Sequence, residues 1–238
     1  SYMVQKAEIC HVVTRAHLRT SLPADASIHD ADEILAGTPD IDRSKLQSGK
    51  PDDLLYVIFT SGSTGNPKGA SVYQRSEVNL LKWYTTEFSM TPTDRVLLMS
   101  AIGFDLTQKN IWAPLMQGAC LVIPDFQEYD AAAFAALVET QRITWINCAP
   151  SAFYPLVDSD IAKPDYPDLR WAFLGGEPIN FSRLANWYRN TRAAIVNSYG
   201  PTECTDISAY HVTAHDHPVH ARVPIGRPNY NVQVYVLG

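Results

Sequence analysis

Tyr56-Val-Ile-Phe-Thr60-Ser61-Gly62-Ser63-Thr64-Gly65-Asn66-Pro67-Lys68-Gly69 begins as an apolar run of strand length and empties into hydroxyls and glycines that end in lysine. The run Leu54 to Phe59 reads as a buried strand, and the loop after it reads as an anion cradle. Glycine lets backbone N–H groups approach a phosphate with no Cβ in the way, hydroxyls add neutral donors, and Lys68 supplies compensating charge. The spacing is not that of the Walker loop, which needs four residues between its first glycine and Gly-Lys-Ser/Thr. A plain polar turn would use the same residue types, so this stretch needs support from elsewhere in the chain.

That support comes from the alternation on the C-terminal side. Ser76 to Phe88 reads as a helix, Arg95 to Met99 as a strand, Leu106 to Gln117 as a helix and Cys120 to Ile123 as a strand. Ala131 to Thr140 follows as a helix and Thr144 to Asn147 as a strand. After a helix bounded by prolines come strands at Leu169 to Leu174 and Ala193 to Val196. Strands separated by single helices predict a mostly parallel sheet with helices on both faces. In such a sheet ligands sit beyond the carboxyl ends of the strands. On the N-terminal side, Ile9 to Thr14 and Ser27 to His29 read as short strands around a helical stretch at Ala16 to Leu22. Pro39 to Asp53, rich in Pro, Gly, Asp and Ser, reads as a connection. The expected division is therefore 1–53, the end of a preceding α/β unit with its linker, and 54–238, a ligand-binding α/β unit.

The net charge of −6, with no cluster of Lys and Arg, argues against a nucleic-acid surface. No apolar run approaches the length of a bilayer span. Ser1 to Lys6 lacks the features of a secretory signal, so the cytoplasm is the expected compartment. Cys10, Cys120, Cys148 and Cys204 form no C-x-x-C pair and are expected to be reduced thiols. His215, His217 and His220 could be metal ligands, but their polar setting and Pro218 favour a surface loop.

Two further loops follow predicted strands. Asn197-Ser-Tyr199-Gly200-Pro201-Thr202-Glu203 offers an aromatic face for a purine at Tyr199, a hydroxyl at Thr202 and a hard oxygen for Mg²⁺ at Glu203. Leu174-Gly175-Gly176-Glu177-Pro178 has paired glycines that would let a flat ring lie against the backbone. In this order and at these intervals, the three loops resemble the adenylation domains of nonribosomal peptide synthetases, within the wider acyl- and aryl-CoA synthetase and luciferase superfamily. The phosphate loop matches over some fourteen residues, and the Asn-x-Tyr-Gly-Pro-Thr-Glu segment matches throughout.

The resemblance implies the large N-terminal domain of an adenylate-forming enzyme. It implies activation of an amino acid as aminoacyl-AMP with release of pyrophosphate, then loading onto phosphopantetheine of a peptidyl carrier domain. ATP and Mg²⁺ are the implied cofactors, and an MbtH-like protein is a further partner it admits. Thr60, Ser61, Gly62, Ser63, Thr64, Gly65 and Lys68 would wrap the ATP phosphates. Gly175, Gly176, Glu177, Asn197, Tyr199, Gly200 and Thr202 would border the rest of the nucleotide. Lys68, Thr202 and Glu203 would be catalytic, with Glu203 on the metal.

In Ala101-Ile-Gly-Phe104-Asp105-Leu106-Thr107, the resemblance makes Asp105 the partner of a substrate α-ammonium; an N-cap role would also suit it. The matching pocket positions are Asp105, Leu106, Lys109, Asn147, Phe173, Gly175, Ser198, Asp206 and Ile207. Lys109 could meet an acidic side chain and Asp206 a basic one, or the two could neutralise one another. With Asn147 and Ser198 added, a polar side chain of modest size is expected. Gln74-Arg75 stands where the family often has histidine before arginine. The family's ribose-binding segment, C-terminal lid domain and its lysine would lie beyond Gly238, so this piece alone is expected to be nearly inactive. A carboxylate–CoA ligase of the same superfamily, or a non-catalytic nucleotide-binding fragment, is the alternative.

Overall fold

A computed structural model of the chain describes residues 2–22, 26–37, 44, 48–61, 65–126, 128–158 and 165–237. Its central element is a seven-stranded sheet in the order β11-β10-β9-β8-β7-β5-β6. The strands are β5 (Arg95–Leu97), β6 (Cys120–Val122), β7 (Trp145–Cys148), β8 (Trp171–Gly175), β9 (Ala194–Tyr199), β10 (Ala209–Val212) and β11 (Arg227–Pro228). β5 to β9 pair in parallel, as the alternation predicts, whereas β10 and β11 add an antiparallel edge.

Strand alternation divides the core into two layers. Ile146 and Cys148 of β7, Ala172 and Leu174 of β8, and Ile195 of β9 face one apolar cluster. That cluster is completed by α5 (Ala131–Thr140), α6 (Pro150–Val157) and α7 (Phe181–Asn190). Trp145, Phe173 and Val196 face the opposite cluster, covered by α3 (Gln74–Glu87) and α4 (Asp105–Gln117). Successive strand residues point to opposite faces, so Asn147, Gly175 and Ser198 continue the α3/α4 face at the carboxyl ends of their strands. Register sets Gly175 opposite Ser198 and Asn147 opposite Phe173.

The helices begin and end where local chemistry dictates. Asp130 caps α5 by accepting from the N–H groups of Ala132 at 2.9 Å and Ala133 at 3.1 Å. α4 ends at Gly118, whose φ of 70° is the left-handed cap that glycine adopts without strain. At the amino end of β5, buried Asp94 takes two bonds from Arg170, at 2.8 and 2.9 Å, and one from the Thr144 hydroxyl at 2.7 Å. This ties β5 to the start of β7 and to the approach to β8.

One local expectation is corrected. The strand before the phosphate loop, β3 (Leu54–Thr60), is not a buried member of the main sheet. Among the described residues it pairs only with β4 (Lys68–Tyr73), as an antiparallel hairpin, and none of its own residues is buried. An uninterrupted apolar run signals a fully covered strand only when both faces find neighbours, and here the run is half-covered. Lys68 to Tyr73, unread in the sequence, is the strand that accepts it. The helical stretch expected at Ala16 to Leu22 is present as a 3₁₀ helix over Ala16–Ser21.

Two short helices, α1 (Tyr2–Lys6) and α2 (Ala31–Ala36), flank a separate two-stranded parallel sheet of β1 (His11–Thr14) and β2 (Ser27–Asp30). Much of the connection expected at Pro39 to Asp53 lies outside the described residues. Its end is held to α3 by bonds from Gln74 N to Asp53 O and from Arg75 N to Pro51 O, each 3.0 Å.

Candidate functional site

The three loops singled out in the sequence connect or follow β3, β8 and β9. The phosphate loop is the turn of the β3–β4 hairpin, with Thr60 opposite Lys68 and the Thr60 hydroxyl 3.5 Å from the Lys68 carbonyl. Gly62, Ser63 and Thr64 lie outside the described residues. Ser61 and Lys68 are exposed, and Gly65 has φ of 86°, a conformation that disfavours any side chain. Lys68 makes no ion pair among the described residues, so its ammonium remains available to an anion.

Gly175 and Gly200 are required by close approach. A Cβ on Gly175 would lie 2.6 Å from the Ser198 hydroxyl and 2.8 Å from its carbonyl oxygen. A Cβ on Gly200 would collide with the Asp206 carbonyl and lie 2.7 Å from the Ser208 nitrogen. Gly176 takes φ of 81°. After Gly200 the chain makes a 3₁₀ turn, Thr202–Cys204, and then two left-handed residues, Thr205 (φ 63°) and Asp206 (φ 62°). Such a conformation is uncommon, most of all for a β-branched threonine. It turns Asp206 into the interior while Glu203 stays exposed beside a cleft of about 530 Å³ bordered by Arg75, Ser76 and Asn79. Tyr199 is half exposed, its ring free to stack.

Two expected nucleotide contacts are already engaged within the protein. The Asn197 amide donates to the carbonyls of Pro224 at 2.8 Å and Val223 at 3.4 Å. The Glu177 carboxylate accepts from Ser151, its hydroxyl at 2.9 Å and its N–H at 3.2 Å, which closes the amino end of α6.

The pocket set converges between α3, α4 and the loop after the 3₁₀ turn. Asp105 is the first residue of α4, half-buried, and accepts from the Leu106 N–H at 2.8 Å. Lys109, one turn on, is fully buried. Its ammonium contacts the Asp206 carboxylate, lies 3.4 Å from the Leu106 carbonyl and sits over the Tyr84 ring at 5.7 Å. The two opposite charges therefore neutralise one another, the third of the alternatives the sequence left open. Burial pushes the Asp206 carboxyl up and Lys109 pulls it down.

Asn147 does not present a free amide as expected. It donates to the Leu106 carbonyl at 3.0 Å and to Asn110 at 3.1 Å, while Asn110 returns a bond to the Asn147 carbonyl at 3.2 Å. Ser198 likewise donates inward, to the Leu174 carbonyl at 3.3 Å. A strand end buried under a helix must satisfy its polar groups internally, and that requirement takes up both donors. Phe173 sits among Tyr84, Phe88 and Trp145, and Ile207 belongs to the same cluster.

Glu77 escaped the sequence reading. It lies on the buried face of α3 in register with Leu80, Leu81 and Tyr84, and it is itself buried. An acid at i in an i, i+3, i+4, i+7 apolar series was the available signal. Of the three histidines, His215 stacks on Tyr188 at 4.4 Å and His217 meets Phe181 edge-on at 4.8 Å. Among the described residues no group of three His, Cys, Asp or Glu could hold a metal.

The described chain is thus a mostly parallel α/β sheet with glycine-bearing loops after β8 and β9 and a buried Lys109–Asp206 ion pair beside them. The chain belongs to the AMP-binding enzyme family, whose model matches residues 1–238. It is 33% identical over 238 residues to tyrocidine synthase 3 of Brevibacillus parabrevis, covering 99% of this chain and 4% of that protein. It is 30% identical over 238 residues to gramicidin S synthase 2 of Aneurinibacillus migulanus, covering 99% of this chain and 5% of that one. Among solved structures, the nonribosomal peptide synthetase FmoA3 bound to alpha-methyl-L-serine-AMP superposes with a TM-score of 0.83 at 30% identity, over 97% of this chain and 26% of that chain. The chain thus spans only a small part of the length of these synthetases. No described helix is long and apolar enough to cross a membrane.

Proposed function

We infer that this chain is the nucleotide- and amino-acid-binding part of an enzyme that activates an amino acid as its aminoacyl-AMP in nonribosomal peptide synthesis. The observation that carries the reading is Asp105, a half-buried carboxylate at the head of α4 one turn before the buried Lys109–Asp206 pair, within one fold with the loops that follow β3 and β9. The relatives are peptide synthetases, and FmoA3 has been solved with AMPPNP and with an aminoacyl-AMP.

In this reading a substrate carboxylate oxygen forms a bond to the α-phosphorus of ATP as the bond to pyrophosphate breaks. Charge builds on phosphoryl oxygens, so the protein's work is positioning and electrostatic stabilisation. Asp105 orients the substrate through its α-ammonium. Gly65 and the exposed Lys68 suit the phosphates, Gly175, Gly176 and Tyr199 suit the base, and Thr202 lies within the adjoining turn. The exposed carboxylate of Glu203 is a hard oxygen donor suited to Mg²⁺, which when bound would offset phosphate charge. The acceptor is phosphopantetheine on a carrier domain, the compartment is the cytoplasm, and an MbtH-like protein is an admissible partner. Residues 1–53 and 54–238 are assigned as the end of one unit and the body of the next.

The test is amino-acid-dependent exchange of pyrophosphate into ATP by the whole synthetase. Exchange should require an α-amino acid; equal exchange with the matching desamino acid would falsify the reading in favour of a general carboxylate activator. In Glu203→Gln, added Mg²⁺ should restore part of the rate, and in Lys68→Ala it should not. Identical magnesium responses would remove the two role assignments.

A further inference from the structure

The ionisable cluster between α3, α4 and the Asp206 loop holds more carboxyl groups than cations. Asp105, Asp206 and Glu77 supply three carboxylates, and Lys109 supplies one ammonium, already committed to Asp206. Glu77 is 2% exposed, and neither of its oxygens has a hydrogen-bond partner among the described residues. The Tyr56 hydroxyl, reaching in from β3, is buried and equally without a partner among them. The two groups interact electrostatically, and Glu77 also interacts with Asp206, Lys109 and Asp105.

A buried carboxylate with no partner is costly, whereas an apolar residue at that helix position would pack with Leu80, Leu81 and Tyr84 at no such cost. The Glu77 oxygens are therefore open to a donor, the equally unpartnered Tyr56 hydroxyl beside them or a cationic group of a ligand. In the proposed function the substrate α-ammonium answers Asp105, and Glu77 is the unpartnered carboxyl of the same charged cluster. With a neutral or acidic side chain Glu77 would keep its proton, whereas a cation would let it ionise.

Resting on that function, we propose that Glu77 is a specificity-determining residue that receives the side-chain cation of a basic, diamino-acid substrate. This departs from the uncharged polar side chain that Asn147 and Ser198 suggested, because both of those donors turn inward and Glu77 adds a charge the sequence reading did not count. Burial pushes the Glu77 carboxyl up to about 7, with Asp206 and Asp105 raising it and Lys109 lowering it. A cationic side chain displaces the proton, so the KM for a basic substrate should fall as pH rises through about 7 and then level off.

The experiment is pyrophosphate exchange by the whole synthetase with L-ornithine, L-lysine, L-2,4-diaminobutyrate, L-glutamine, L-serine and L-glutamate, at about pH 6 and about pH 8. One of the diamino acids should give the highest kcat/KM. In Glu77→Gln its kcat/KM relative to glutamine should drop about tenfold or more, and the pH dependence of its KM should disappear. A neutral or acidic amino acid ranking first, with the ranking unchanged in Glu77→Gln, overturns the inference while leaving amino-acid activation intact. If no amino acid supports exchange, the proposed function fails and this inference fails with it. Should Glu77→Gln not fold, the wild-type ranking and the pH dependence of its KM values still decide between these outcomes.

Discussion

Replacing Lys109 by methionine removes the buried ammonium while keeping an unbranched apolar stem over Tyr84. The Lys109 side chain is 1% exposed and that of Asp206 10%, so solvent can do little for the carboxylate left behind. Breaking one side of a buried pair costs about 3–5 kcal/mol when the remaining charge stays ionised. Asp206 has an escape, because burial already raises its carboxyl and Lys109 opposes that rise. Without Lys109 the folded-state value climbs further, and the folded protein holds a proton that the unfolded chain releases. For a group whose folded value is raised, stability is greatest at low pH and is lost as pH rises towards that folded value. The deficit of Lys109→Met should therefore shrink as pH is lowered and grow towards the full value of about 3–5 kcal/mol as pH rises. Adding Asp206→Asn should recover most of the loss, since no buried charge then remains at that position. Urea unfolding of the expressed adenylation domain, followed by tryptophan fluorescence, measures all three variants. A deficit that does not change with pH, or losses that simply add in the double variant, would show that the two charges are not coupled.

Gly200→Ala should destabilise the domain by about 3 kcal/mol, the upper end for overpacking, because the new methyl meets backbone atoms of Asp206 and Ser208 that cannot swing aside; an unchanged urea midpoint would contradict the packing of that loop. Thiol titration of the native chain should label the exposed Cys10 and Cys204 readily and Cys148 only on unfolding, since burial pushes the Cys148 thiol well above its ordinary range. Labelling of native Cys148 at the rate of Cys10 would place it at the surface instead.

Much of the α/β order is written locally. The alternation from Ser76 to Val196 carries the period changes that separate helix from strand, and the observed elements fall within a few residues of it, with α5 matching end to end. α7 carries that signal too, with Phe181, Leu184, Ala185 and Tyr188 at helical spacing, and goes unread; β10 and β11 lack it, being short edge strands that pair antiparallel rather than through a crossover. The glycine loops were equally legible, because a glycine needed for backbone approach stands out in any sequence.

The sequence by itself determined the alternating architecture, the glycine-bearing loops and the acid at the head of α4, all consequences of residue type and short-range spacing. Tertiary structure alone decided what each polar side chain does. Lys109 meets Asp206 across 97 positions, Asn147 turns to Leu106 across 41, and Tyr56, Glu77 and Asp206 gather from three different elements. Hydrophobic periodicity records how much of a residue is covered, but not by what. That is why β3 reads as a core strand and is half of a surface hairpin. It is also why Glu77 passes unnoticed in a helix and becomes, in the folded chain, a pocket carboxylate with no hydrogen-bond partner among the described residues.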